Sequence, residues 1–313
     1  YEFVTLNVRK FGAKGDGVSD DTTFIQAAIM ACPPESRVLI PAGTYKITSL
    51  FLKSGISVEL AKGAELLADT DRSHYAILPG LIESYDETGD YNLGTWEGNP
   101  LPMFAGIISG IDVSDVNLYG EGSINGAANH ENWWKNEKVM VGAFHDSPAW
   151  VIHPYFSDEL LFCNLIVENP AKSPNTDGLD PESCRDVTIC GVRFSLGDDC
   201  IAVKSGKIYM GRRYKTPSSN IHVYQCLMEH GHGAVTVGSE MAGGVNNLIV
   251  EKCRFYHTDR GLRIKTRRGR GKDAILDNII FRDLMMEQVM TPFTANAFYF
   301  CDPDGRTEFV QSR

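Results

Sequence analysis

Apolar residues recur at fixed places in a six-residue frame through the second half of the chain. Residues 160–165, 187–192, 221–226, 248–253 and 279–284 each carry apolar side chains at frame positions 1, 3 and 6, and an earlier copy begins at Val116. Positions 1 and 3 share a face, as the two-residue period of a strand requires, and position 6 follows a bend. From Leu160 onward the copies start 27, 34, 27 and 31 residues apart, a spacing that reads as stacked structural units. A second strand-like run follows each of the middle three copies, at 200–203, 234–237 and 262–264. The units are rich in Val, Ile, Thr and Phe and lack helical periodicity, whereas a (β/α)₈ barrel needs a helix in every unit. Two or three short strands per unit with Gly and Asn at the bends predict an all-β fold, a single-stranded parallel β-helix or solenoid.

The first fifty residues read differently. Asp20-Asp21-Thr22 precede a pattern that puts Ile25, Ala28 and Ile29 on one face, which predicts an N-capped helix able to cover the open end of a solenoid core. Residues 38–45 read as strand, turn, strand. The stretch 81–105 is rich in Gly, Asp and Asn and reads as a long surface loop, not a domain boundary. Residues 1–313 are therefore expected to form one β-helix domain, with 1–50 as its N-terminal cap region.

A net charge of −10 argues against general nucleic-acid binding, and no apolar run is long enough to span a membrane. The charge is uneven, however: seven of the thirteen residues from 260 to 272 are basic, which describes either a solvated loop or one wall of a site for a polyanion. The eight cysteines form no CxxC pair and no zinc-like spacing. Cys163, Cys190, Cys200, Cys226 and Cys253 fall in or near apolar runs, as buried free thiols packed like small hydrophobes. The compartment stays open, with these thiols favouring a cytoplasmic setting over a periplasmic or secreted one. Oligomeric state is not legible, and no cofactor or metal is called for.

Four polar clusters sit beside the repeated strands: Asn175-Thr176-Asp177, Gly197-Asp198-Asp199, Gly231-His232-Gly233 and Arg263-Ile264-Lys265. Taken singly, the first three are ordinary turn chemistry and the last a solvated strand edge. In stacked coils they line up within about 15 Å along one sheet, since neighbouring strands lie ~4.8 Å apart. Adjacent Asp198 and Asp199 would face opposite sides of a regular strand, but Gly197 permits a bend that lets both project outward. Three carboxylates, a histidine and two cations suit acid/base cleavage of an anionic sugar. Carboxyl groups ~6.5–9.5 Å apart would leave room for a water and give inversion, and residues one to two coils apart are expected to supply that separation.

With these four clusters, together with Phe11-Gly12-Ala13-Lys14-Gly15-Asp16-Gly17, Ser147-Pro148-Ala149-Trp150, Ile152-His153-Pro154 and the run from Gly178 to Cys184, the chain resembles the bacterial-type polygalacturonases of glycoside hydrolase family 28 over nearly its whole length. The resemblance implies a right-handed parallel β-helix and hydrolysis of α-1,4-linked galacturonate with inversion, with a lean toward action from a chain end. It implies Asp198 as general acid, Asp177 and Asp199 as the pair that holds and activates water, and His232 as the group that tunes their protonation. Arg263 and Lys265 would grip the substrate carboxylate, and Asn175, His153 and Tyr299 would complete the substrate-binding set. The partner is an anionic polysaccharide or oligogalacturonide.

The chain departs from that family in three places. It stops at Arg313, so C-terminal coils are expected to be missing. The 44 residues from Val116 to Leu160 lack a coil usual in relatives, and Phe144-His145 is expected to mark an omitted stretch. Met228 stands where secreted fungal members have a cysteine, which leaves Cys200 unpaired. Three other readings compete. A rhamnogalacturonan hydrolase on the same fold would depart from the Arg-x-Lys signature. A pectate lyase would need Ca²⁺ held by carboxylates, and a non-catalytic β-helix would bind acidic polysaccharide through the basic run.

Overall fold

The computed structural model describes residues 3–80, 93–96, 99–100, 102–127, 150–207 and 214–299. Three parallel sheets run along these residues. The first has nine strands, from Thr5–Asn7 through Ser114–Gly120, Asp158–Cys163, Arg185–Cys190, Ser218–Tyr224 and Val245–Glu251 to Leu276–Arg282. Its register reproduces the sequence frame. Val116, Leu160, Val187, Ile221, Leu248 and Ile279, the first frame positions, are direct neighbours on successive strands.

The frame has a backbone cause. Position 5 is Asn164, Gly191, Gln225, Lys252 or Asp283, and all five adopt left-handed φ between 53° and 62°. That corner turns the chain so that position 6 re-enters the core, where Leu165, Val192, Cys226 and Cys253 are buried. The residue just before frame position 1 is left-handed as well: Asp115, Glu159, Asp186, Asn220, Asn247 and Asn278 lie between 52° and 56°. Asn and Asp tolerate this region better than other side chains. At this corner the Asn247 amide donates to Asn220 Oδ1 at 3.0 Å, and the Asn278 amide to Asn247 Oδ1 at 2.8 Å, a ladder that follows the coil stack.

The second sheet runs from Asp16–Asp20 to Met285–Glu287. The third carries Ile108–Ile111, Ile152–Tyr155, Ile201–Val203, the second half of Leu227–Gly238, Thr258–Lys265 and Thr291–Asn296. Ile201, Val235, Leu262 and Phe293 are aligned in it, so the second runs of the middle repeats are strands as predicted. Single bridges at Leu179 and Glu182 join Ile152–Tyr155 to Ile201–Val203. Buried apolar residues from Val8 to Ala274 form a continuous cluster between the sheets, each large aliphatic contributing roughly 1.5–3 kcal/mol by leaving water.

Several expectations change. Val116 pairs directly with Leu160, and Ile108 with Ile152, so the strands on either side of residues 128–149 are neighbours; Phe144-His145 itself lies outside the described residues. Helix Thr22–Ala31 buries Ile25, Ala28 and Ile29 as predicted, but Asp21 makes no side-chain cap. Its carboxylate instead accepts from the backbone N–H groups of Lys14 and Gly15 at 2.7 and 2.8 Å, while Asp20 accepts from Thr22 N–H at 2.9 Å. The stretch 81–105 is not all loop: Thr95–Trp96 pairs with Asn99–Pro100, and Met103–Phe104 with Ile77–Leu78, both antiparallel. Among the described residues no helix is long and apolar enough to cross a membrane.

Candidate active site

The first three polar clusters lie at or before the start of the third-sheet runs of three successive coils, and Arg263 and Lys265 close the strand of the fourth, in register with Thr236 and Gly238. Gly178 N–H donates to Asp199 O at 3.0 Å, Cys200 N–H to Gly233 O at 2.8 Å, and Gly233 pairs with Arg260. Asp177, Asp198 with Asp199, His232, and Arg263 with Lys265 therefore stand on consecutive coils, about 4.8 Å apart. Carboxylate oxygens of Asp177, Asp198 and Asp199 all lie within 4.8 Å of one another. The expected wider separation is not realised, because the two aspartates of one coil share a bend directly beside Asp177 on the preceding one.

Two glycines make that bend possible, through space more than through backbone freedom. A Cβ on Gly197 would come within 2.2 Å of Ser173 O, and one on Gly233 within 2.7 Å of Asp199 Oδ1. Asp198 then accepts from the Asn175 and Asp199 backbone N–H groups at 3.2 and 2.9 Å. It remains partly open to solvent, while Asp177 is 4% exposed and Asp199 0%.

Charge is distributed unequally over the three carboxyls. Asp199 is buried, which alone would raise its pKa, but Lys265 Nζ at 2.7 Å and Arg263 Nη1 at 3.0 Å hold it well below the usual carboxylate range. Asp177 lies on the other side of this pair; burial, then Asp198, push it well above that range. Of the two groups expected to hold water, one is thus shifted toward the anion and the other toward its protonated form. His232 is half exposed, with Nδ1 3.6 Å from Asp198 and Nε2 3.6 Å from Asp259. Contact with Asp198 raises its pKa against the opposing effect of burial.

Lys272 at the far end of the basic run is exposed, whereas Arg263 and Lys265 are neither solvated nor free. Both are at least nine-tenths buried and both bind Asp199. Arg270 is fully buried and donates from Nε to Ser239 O at 2.8 Å. Tyr299 reaches the site, its ring centroid 5.7 Å from the Arg263 guanidinium and 5.5 Å from the Lys265 ammonium. His153 stands one coil before Asp177, bonded through Nε2 to Glu182 at 2.9 Å. With Phe104, Ser109, Trp150 and Tyr155 it lines a shallow hollow whose wall includes none of the three carboxylates. The three carboxyls could clasp a cation by distance alone, yet a divalent ion there would compete with the two buried cations that already hold Asp199.

Sequence reasoning missed a second set of buried charges: Asp180, Lys204 and Glu240. Their signal was weak. Lys204 follows an apolar strand at two-residue spacing from Ala202, which reads as an exposed lysine, and its burial depends on Trp150, whose ring centroid lies 4.5 Å from the ammonium.

A profile described as glycosyl hydrolases family 28 matches residues 138–307, more than half of the chain and all four clusters. The chain belongs to glycosyl hydrolases family 28. A second profile, rhamnogalacturonase A/epimerase, pectate lyase-like, matches residues 5–58, the N-terminal strands and helix. A probable polygalacturonase of Vitis vinifera is 28% identical over 92% of this chain, and an exo-poly-alpha-D-galacturonosidase of Dickeya chrysanthemi 23% identical over 98%. The chain spans 62% and 59% of those two proteins. Among solved structures, a hyperthermoactive exopolygalacturonase of Thermotoga maritima superposes with a TM-score of 0.68 at 25% identity, covering 94% of this chain and 79% of that one. The family carries the parallel β-helix assigned from the repeat.

Proposed function

We propose that this family 28 chain hydrolyses α-1,4-galacturonosyl bonds of polygalacturonate or pectin, releasing products from a chain end. The observation that carries the reading is the carboxylate triad set beside buried Arg263 and Lys265 on adjacent coils. Cations beside proton-transfer groups answer the chemistry of an anionic sugar. Asp198, the carboxyl open to solvent and backed by His232, is the general acid. Asp199, held anionic, is the base toward water, and Asp177 shares the proton that the pair cannot both lose. Arg263, Lys265 and Tyr299 form the wall that meets the sugar carboxylate, with Asn175 and His153 flanking it. End-wise action draws support from the exo-acting relatives of Dickeya and Thermotoga.

Inversion rests on the family resemblance. The carboxylate oxygens lie closer together than the ~6.5–9.5 Å typical of inverting pairs, so the anomeric form of the first product, read by proton NMR, decides it. The broader test is a time course on de-esterified polygalacturonate in EDTA, with products resolved by chain length. New reducing ends without the ultraviolet absorbance of unsaturated uronates are expected, with single residues or short products dominating. Unsaturated products would make the protein a lyase; activity on rhamnogalacturonan alone would move it to the branch suggested by the N-terminal match.

A further inference from the structure

Behind the catalytic row stands a second row of charge, in step with it coil for coil. Asp180, Lys204 and Glu240 belong to the same three successive coils as Asp177, Asp198–Asp199 and His232. Lys204 Nζ lies 3.7 Å from Asp180 Oδ2 on the preceding coil and 2.8 Å from Glu240 Oε2 on the following one. All three side chains are at most 4% exposed. The Trp150 ring, from the coil before that of Asp180, lies over the ammonium. Neither oxygen of Asp180 has a hydrogen-bond partner. The substrate cannot reach Lys204, so the proposed reaction gives it no direct work.

A lysine buried between two carboxyls costs desolvation energy, and an apolar solenoid wall would need none of it; burial and Asp177 push the Asp180 carboxyl well above the usual range, so the closer Glu240 is the lysine's main counter-charge. Its position supplies a use. Asp177 is faced by Asp198 and Asp199 from the next coil and by Lys265 from beyond them. On its own side, Lys204 is the foremost cation acting on it. We propose that Lys204 is a positioning residue: clamped between Asp180 and Glu240, it sets how readily Asp177 gives up its proton and thus how many protons the triad carries. Glu240, itself held anionic by Lys204 and Arg270 against the effect of burial, limits how much of the lysine charge Asp177 feels.

The test follows the side-chain carboxyl carbon of Asp177 by NMR across pH in protein labelled with ¹³C-aspartate, the signal being assigned by its loss in D177N. Lys204→Met with Glu240→Gln removes the closely bonded pair together and leaves Asp180 and Arg270 in place. The Asp177 midpoint is expected to rise by about one pH unit, the size of a neighbouring opposite charge. Lys204→Arg keeps the cation and should leave the midpoint in place, while Glu240→Gln alone should lower it. Midpoints that stay put in both the double variant and Glu240→Gln would overturn the proposal, including where the double variant fails to fold and only Glu240→Gln is read. The titration needs no substrate. A second reading, which rests on the hydrolase assignment, is the acid limb of kcat on polygalacturonate, expected to move up with the NMR midpoint while KM holds. A parent protein that releases no reducing ends would sink the hydrolase reading and leave the titration result standing.

Discussion

Asp177 and Asp199 are the same residue type, one coil apart, with opposite proton affinities, and the difference is one of partners. Asp199 has Lys265 and Arg263 within 3.0 Å; Asp177 has burial and Asp198. Because the folded pKa of Asp177 is raised, its contribution to stability is present below about pH 3.9, the unfolded value, and is lost as pH rises through the folded pKa. Asp177→Asn, which mimics the protonated acid, is therefore expected to melt above the parent at pH 7, the gap closing as pH falls toward 4. Thermal melts across that range check it, and a parent that is the more stable at pH 7 refutes it. His232 titrates the other way in charge: its raised pKa keeps the imidazolium above the ordinary value of about 6.5. If the charged ring assists Asp198, the alkaline limb of kcat should lie above that value in the parent and vanish in His232→Gln, together with much of the rate. At this scale the sequence announced which residues meet, because each cluster sits at one place in a repeat. It could not announce that Arg263 and Lys265 are spent on Asp199, nor that Lys204 is buried, since both depend on side chains from coils 54 to 66 residues away.

The element that makes the coil is the left-handed corner, and it was only half legible. Apolar positions 1, 3 and 6 of the frame required a bend before position 6, but nothing in the pattern named the residue that bends. Position 5 holds Asn, Gly, Gln, Lys or Asp in successive coils, a variety that hides a shared conformation. The corner before frame position 1 is more uniform, and at Asn220, Asn247 and Asn278 the side chains bond to one another along the stack. Asn247 is exposed, so its worth lies in conformation and ladder, not in core packing. Asn247→Ala should cost about 1–2 kcal/mol, the penalty of a left-handed position for a residue without local polar compensation, plus the lost ladder bonds. Asn247→Gly loses the same bonds but none of the conformational fit, and is expected to be the milder change by about 1 kcal/mol in urea titrations. Equal losses would mean that the ladder, not the corner, carries the stability.

Across the whole molecule, stacking turns distance along the chain into one surface, and the surface has to work against the protein's own charge. The chain is −10 overall, while the proposed substrate is a polyanion, so the long-range field opposes encounter. The cations that would favour it are short-ranged: Arg263 and Lys265 are buried and already share Asp199. Salt separates the two effects, because the screening length falls from about 30 Å at 0.01 M to about 10 Å at 0.1 M, whereas contacts near 3 Å inside the wall are screened far less. Raising the ionic strength over that interval is expected to increase kcat/KM on long polygalacturonate, mostly through KM, and to change it little on a trimer. A steady fall over the same interval would point instead to steering by the outer members of the basic run, Arg260 and Lys272, and would make residues 260–272 an electrostatic funnel as well as the frame of the site.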